Sequence, residues 1–360
     1  LIARYLFLGA VVLSAIVYLS YLGLEMATGV PLGVAAGSAL EQSLAYGMRL
    51  LQGDLGMGTA ATSINNPAPV TSYLWPVFSR SLGLLAVSLL MATVVGFVVG
   101  LRAATRPNDN RALPLLLASI VGVSMPSFFV ALMLQLAIIR ITRATGASLL
   151  PVGGFGWDAH LVLPALVLAA RPVAQITRVT YLSVRDALRA DYVRTARSKG
   201  VGRNRVIYGH AVRNAGVPIL TTVGLSLRFA LSSLPVVELF FGWPGAGFVL
   251  LKSIAAQDFN TTIALLLCFG TLFIVVNLAL ELTYRLVDPR LRDLNRNLTA
   301  ANRHTVGMAL REMGAGFKRL VAYLIGDDWW RDLERSFNQW KRTLGPGRRK
   351  ASASTTKRAR

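Results

Sequence analysis

The sequence predicts an all-α integral membrane protein with six transmembrane helices. Three observations carry that prediction. Of the 360 residues, 54% are hydrophobic and only 15% charged, whereas a soluble domain carries roughly 25% charged residues. Six apolar stretches each come close to the about 20 residues that a spanning helix needs. The charge is also clumped, long uncharged runs alternating with short basic ones. The net charge of +21, from 38 basic and 17 acidic residues, would suit a nucleic-acid binder. Here the basic residues sit beside apolar spans, as the positive-inside rule describes, and no nucleic-acid partner is expected.

The first span covers about residues 5–24, uncharged between Arg4 and Glu25. A cleaved signal peptide is the rival reading, but its apolar region runs to about 7–15 residues, so an anchor fits better. The second span covers 82–101 and the third 112–139, with Pro126 inside the third as a kink. The fourth covers about 161–177, the fifth 217–237 and the sixth 261–284. The single Cys268 lies in the last run and allows neither an internal disulfide nor a cysteine-based metal site.

The connections set the orientation. Spans two and three are joined through Arg102, Arg106 and Arg111, and spans four and five through nine Lys or Arg from Arg178 to Arg213. The alternate connections hold only Arg49, Arg80, Arg140, Arg143 and Lys252. Twelve basic residues against five put both termini and the central basic stretch on the cytoplasmic side. The long outer connection, 25–80, carries a short amphipathic piece (Leu40, Leu44, Met48, Leu51) ending near Gly53.

The central stretch, 191–218, reads "DYVRTARSKGVGRNRVIYGHAVRNAGVP". Ala, Arg and Lys favour helix, and Gly200 with Gly202 breaks it. The segment after Gly202 predicts a second helix that closes at Gly216 and Pro218, before the fifth span. On composition this is a solvated basic loop. The interleaved Tyr192, Val193, Val206, Ile207 and Tyr208 argue instead for docking against protein.

Residues 191–218 resemble the coupling-helix segment of permease subunits of binding-protein-dependent ABC importers, of the dipeptide/oligopeptide type. Further stretches resemble that family's signatures in the same order: "GDLG" at 53–56, "SMPSFF" at 124–129, "LPALVL" at 163–168, "VELFFGWPGAG" at 237–247 and "NLALELTYRLVDPRLR" at 277–292. Two positions depart from the wider pattern. Arg194, Thr195 and Ala196 stand where many importers have Glu-Ala-Ala, a form usual in the peptide branch, and Glu281 stands where Asp is usual.

The resemblance implies a type I ABC importer permease fold over residues 1–290, in a bacterial or archaeal plasma membrane. It implies a second homologous permease, two ABC ATPase subunits and an extracytoplasmic solute-binding protein as partners, with the lipid bilayer around the spans. The chain would form half of the translocation pathway, for peptides. Its relatives' other cargoes (nickel chelates, glutathione, oligosaccharides) are the alternative. Carried over by position, the ATPase-coupling residues are Tyr192, Arg194, Thr195, Ala196, Lys199, Gly200, His210, Arg213 and Asn214. ATP closure would swing this lever, with Gly200 allowing its tight turn.

What the sequence lacks agrees with that reading. There is no G-x-x-x-x-G-K-[ST] loop, no G-x-S-x-G elbow and no H-E-x-x-H. His160, His210 and His304 are scattered, so no catalytic or metal site is expected, and each histidine reads as structural. Apart from Glu281, near a helix end, the spans hold no carboxylate of the kind proton-coupled carriers use. No cofactor is expected in this chain; ATP and Mg would be bound by the ATPases. A stand-alone channel or membrane enzyme is the competing class, and no catalytic constellation supports it.

Two arginines fall inside spans, where a charge costs at least ~2.5–3.5 kcal/mol. Arg171 lies seven residues from Arg178, about 10 Å of helix, within reach of snorkelling. Arg228 is ten residues from both Pro218 and Glu238, about 15 Å from either end, so snorkelling is harder. The alternative is that both arginines, with Glu238, face a water-filled translocation pathway. After Arg292 the chain continues as a basic amphipathic extension over 291–345, with one face of Val306, Leu310, Met313, Phe317, Leu320 and Leu324. Trp330, Leu333, Phe337, Trp340 and Leu344 form a second face. Interfacial helices on anionic lipid or docking on the ATPase would each use such faces. Residues 346–360 read as a disordered basic tail.

Overall fold

The computed structural model describes residues 2–63, 66–106, 112–147 and 149–287. The 291–345 extension, the 346–360 tail, the "DPRLR" end of the last signature and part of the 102–111 connection lie outside the described residues.

Six helices among the described residues are long and apolar enough to cross a membrane. α1 (Ile2–Ala27) leads over a short turn to α2 (Leu32–Leu51). A hairpin of β1 (Met57–Ser63) and β2 (Asn66–Pro69) follows, antiparallel, with Met57 opposite Pro69. α3 (Val70–Thr105) starts twelve residues before the predicted second span and runs for 36 residues. The apolar run marked only its membrane part, because Tyr73, Ser79 and Arg80 dilute the first turns.

The third span is two helices, α4 (Ala112–Ser124) and α5 (Ser127–Thr145). Sequence predicts a kink at Pro126; the structure has a full break. Pro126 is extended (φ −63°, ψ 140°) and serves as the N-cap of α5. Proline lacks the N–H that would continue the ladder and pushes the preceding residue out of the helical region.

α6 (Val162–Arg189) and α8 (Val212–Phe241) also outrun their apolar cores. Between them lie the short α7 (Asp191–Ser198) and a π-helical turn, Arg205–Ala211. That turn runs without a stop into α8, with Pro218 inside the helix. The predicted separate helix closing at Gly216 and Pro218 is therefore corrected: the fifth span and the second half of the basic segment, from Arg205, form one continuous rod. α9 (Ala246–Ala255) and α10 (Phe259–Val287) complete the described chain.

The main core lies between α3, α6 and α8. Leu84, Leu163, Leu168, Leu234, Val237 and Trp243 are buried there. α3 and α6 approach closely because α3 presents glycine: a Cβ at Gly100 would lie 2.6 Å from the Thr177 carbonyl oxygen. Small residues at such contacts are how helices in lipid gain packing without a hydrophobic driving force.

Candidate functional site

The basic end of the bundle is built as an elbow. α6 stops at Arg189, and Ala190 turns extended (ψ 150°) to start α7. α7 closes with a Schellman motif. Val201 N–H bonds to the Ala196 carbonyl (3.1 Å) and Gly200 N–H to that of Arg197 (3.0 Å). Gly200 sits at φ +76°, the left-handed position that glycine adopts without penalty. Val193 and Ala196 turn inward onto Val206 of the π-helical turn, with Leu188 and Val201 around them. Arg203 ties the elbow to α3 through the Thr105 carbonyl at 2.7 Å.

This geometry sorts the residues predicted from sequence. Tyr192, Arg194, Thr195, Lys199, Arg213 and Asn214 lie on the exposed surface of the elbow, with Tyr208 beside them; His210 is half-buried. The Arg194 side chain is 80% exposed and only loosely paired with Asp191, at 3.6 Å. Ala196 differs. It is buried against its own chain, so it shapes the elbow and offers no contact surface. Likewise Val193, Val206 and Ile207, read from sequence as docking residues, are buried by the chain itself. Only the two tyrosines keep large apolar surface free.

The intramembrane charges are also sorted. Arg171 lines a cavity of about 230 Å³ between the α4–α5 break, α6 and α8. Its guanidinium lies 4.1 Å over the Phe229 ring. Among the described residues its buried Nε has no hydrogen-bond partner, and neither have Arg228 Nε and Gln175 Oε1. Arg228 is not among the residues lining that cavity. Glu238 does not line it either. It is fully buried, accepts a hydrogen bond from Ser81 and takes the Phe248 N–H at 2.9 Å. Sequence reasoning missed Gln175 and Ser81, because a lone polar residue in an apolar run carries no spacing signal.

A sequence profile of the family described as binding-protein-dependent transport system inner membrane component matches residues 92–293, which takes in both the elbow and the cavity. The chain belongs to this family. The dipeptide transport system permease protein DppB of Escherichia coli strain K12 is 34% identical over 281 residues, covering 70% of this chain and 80% of that protein. The protein of that name from Alkalihalophilus pseudofirmus is 32% identical over 262 residues, 66% of this chain and 79% of the other. The glutathione transport system permease protein GsiC of Salmonella paratyphi A is 34% identical over 250 residues, 69% and 78%. The chain is thus a multi-pass permease with the type I importer fold.

The end of the permease opposite the elbow is held by carboxylates and aromatic rings. Glu25 of α1 accepts from Ser38 and from Gln42 (2.5 Å) of α2. Asp258 takes the Thr59 N–H at 2.6 Å and the Thr261 hydroxyl at 2.7 Å, fastening the hairpin to α10. Within "GDLG", Asp54 Oδ1 accepts the Gly56 N–H at 2.8 Å, which turns the chain into β1. Trp157, Phe155 and Trp243 stack edge-on, with Arg80 4.6 Å over Phe155. Beside them, the His160 backbone N–H and then its ring hold the Asp158 carboxyl below the usual carboxylate range. On α2, Leu40, Leu44, Met48 and Leu51 are exposed, while Ala35, Ala39 and Tyr46 face inward.

Proposed function

We propose that this permease forms half of the membrane pathway of an ATP-driven peptide importer. The elbow at 191–218 is its contact with an ATPase subunit. One observation carries the coupling assignment: the elbow satisfies its apolar residues internally and leaves Tyr192, Tyr208 and a row of basic side chains outward. A merely solvated loop has no use for exposed tyrosines on a rigid frame. The unbroken rod from the elbow through α8 gives such a contact a mechanical route to the spans. Both termini and the elbow lie in the cytoplasm of a bacterial or archaeal cell. The chain binds no cofactor; partner subunits bind ATP and Mg. A second permease and an external solute-binding protein complete the complex. Peptide cargo rests on the dipeptide relatives, and the glutathione relative makes that tripeptide the first competitor to test.

The test is reconstitution with the ATPases, partner permease and binding protein of the same gene cluster in proteoliposomes. Labelled dipeptide should accumulate only with ATP, and unlabelled glutathione should compete poorly. Uptake of glutathione but not of dipeptides would change the cargo. Assembly without any ATPase subunit would overturn the importer reading.

A further inference from the structure

The cavity at the broken third span has the chemistry of an anion site. We infer that it receives a carboxylate, the terminal group of the cargo, and that Arg171 is the residue that recognises it. This rests on the permease reading above.

Four observations converge. Arg171 is a cation within a span, and its buried Nε has no hydrogen-bond partner among the described residues. A buried guanidinium without an anion is costly, a penalty that an anionic occupant would relieve. The ring of Phe229 covers one face of the guanidinium. Such stacking fixes the plane and leaves the N–H edge free for bidentate contact with a carboxylate.

The Met125–Pro126 break is the third observation. It places the start of α5 on the cavity wall, with Pro126, Ser127 and Phe128 among the lining residues. The Phe129 and Val130 N–H groups bond to the Pro126 carbonyl at 3.1 and 3.2 Å. Those of Ser127 and Phe128 have no acceptor among the described residues, and α5 has no side-chain cap. A helix start is positive, so it adds to the field of Arg171. No acidic residue is among those lining the cavity.

Size is the fourth. At about 230 Å³ the cavity falls below the roughly 300 Å³ at which pockets begin to hold whole drug-sized ligands. It suits an end group, with the remainder of the cargo lying outside it.

The test uses the complete importer with Cys268→Ser and Ser233→Cys, which places one thiol on the cavity wall. It is treated with an anionic (sulfonatoethyl) or a cationic (aminoethyl) methanethiosulfonate. Rates are divided by those on a free thiol. The anionic reagent should be favoured by about tenfold or more, the focusing expected of a cleft of one sign. Arg171→Gln should abolish the preference, and Arg171→Lys should keep it. Equal rates for the two reagents, no reaction with either, or an unchanged ratio in Arg171→Gln would each overturn the site. If Arg171→Gln does not assemble, the ratio in the parent and in Arg171→Lys still decides.

A second arm compares uptake of a free dipeptide with that of its C-terminal amide. Arg171→Gln should lower uptake of the free acid and spare the amide. An equal loss for both would mean that the anion drawn by Arg171 is not the cargo, and the carboxylate assignment falls. If the parent complex transports no peptide, the cargo reading fails, while the reagent ratio separately judges the anion site.

Discussion

Ser81 of α3 and Glu238 of α8 together cap a helix that belongs to neither. The Ser81 hydroxyl donates to Glu238 Oε1 and accepts the Ala246 N–H at 2.7 Å. Glu238 Oε2 takes the Phe248 N–H at 2.9 Å. These are first-turn donors of α9, whose own N-cap is Gly245 and supplies no side chain. Helix starts leave such donors orphaned, and a carboxylate there also meets the positive end of the helix. The arrangement joins three helices through one buried polar knot.

Glu238→Leu should therefore destabilise the protein. Each donor left unpaired in the interior costs about 1–3 kcal/mol. The complex should accumulate poorly and unfold at a lower temperature in detergent. Glu238→Gln keeps an acceptor oxygen and should lose much less. Normal accumulation and unfolding of Glu238→Leu, with uptake alone reduced, would favour the pathway role over the structural one.

Elbow substitutions should separate into two classes. Tyr192→Ala and Gly200→Ala should leave the permease inserted and assembled but weaken stimulation of ATP hydrolysis by loaded binding protein. At Gly200 a Cβ meets nothing within 4 Å, so the cost comes from the left-handed φ alone, about 1–2 kcal/mol. Ala196→Asp should instead reduce assembly, because it buries a carboxylate among Val193 and Val206. Wild-type stimulation in Tyr192→Ala would remove the exposed face from the coupling role.

Arg228 is, among the described residues, the other span arginine whose buried Nε has no hydrogen-bond partner. In the pathway reading, Arg228→Leu lowers uptake while assembly and binding-protein affinity hold. Arg228→Lys keeps part of the rate, because it retains charge but not the planar fork. Failure of Arg228→Leu to assemble with the second permease would make it a strut between subunits; normal uptake would make it a bystander.

Orientation can be read with two cysteines in a Cys268→Ser background. Leu51 is 90% exposed at the end of α2, and Asn204 is exposed in the elbow. An impermeant thiol reagent on intact cells should label Leu51→Cys and spare Asn204→Cys. The reverse pattern would invert the topology and end the coupling proposal.

The division between sequence and structure follows from what each can encode. Six apolar runs dictate six spans because lipid accepts a backbone only when its hydrogen bonds close within the helix. The residues 191–202 predict the elbow helix and its stop, since Gly200 is needed wherever the chain must go left-handed. Those are local constraints, and the sequence by itself determined them. It could not say that Pro126 severs a helix while Pro172, Pro218 and Pro235 sit inside theirs, because that depends on what each turn packs against. Nor could it show that Glu238 meets the first turn of α9, or tell Arg171 from Arg228 as the wall of a cavity. Ser81 is 157 residues from Glu238, and Phe229 reaches Arg171 only because α8 packs on α6. Tertiary structure decided the roles of the polar residues, since a buried charge is defined by the partners that other helices bring to it.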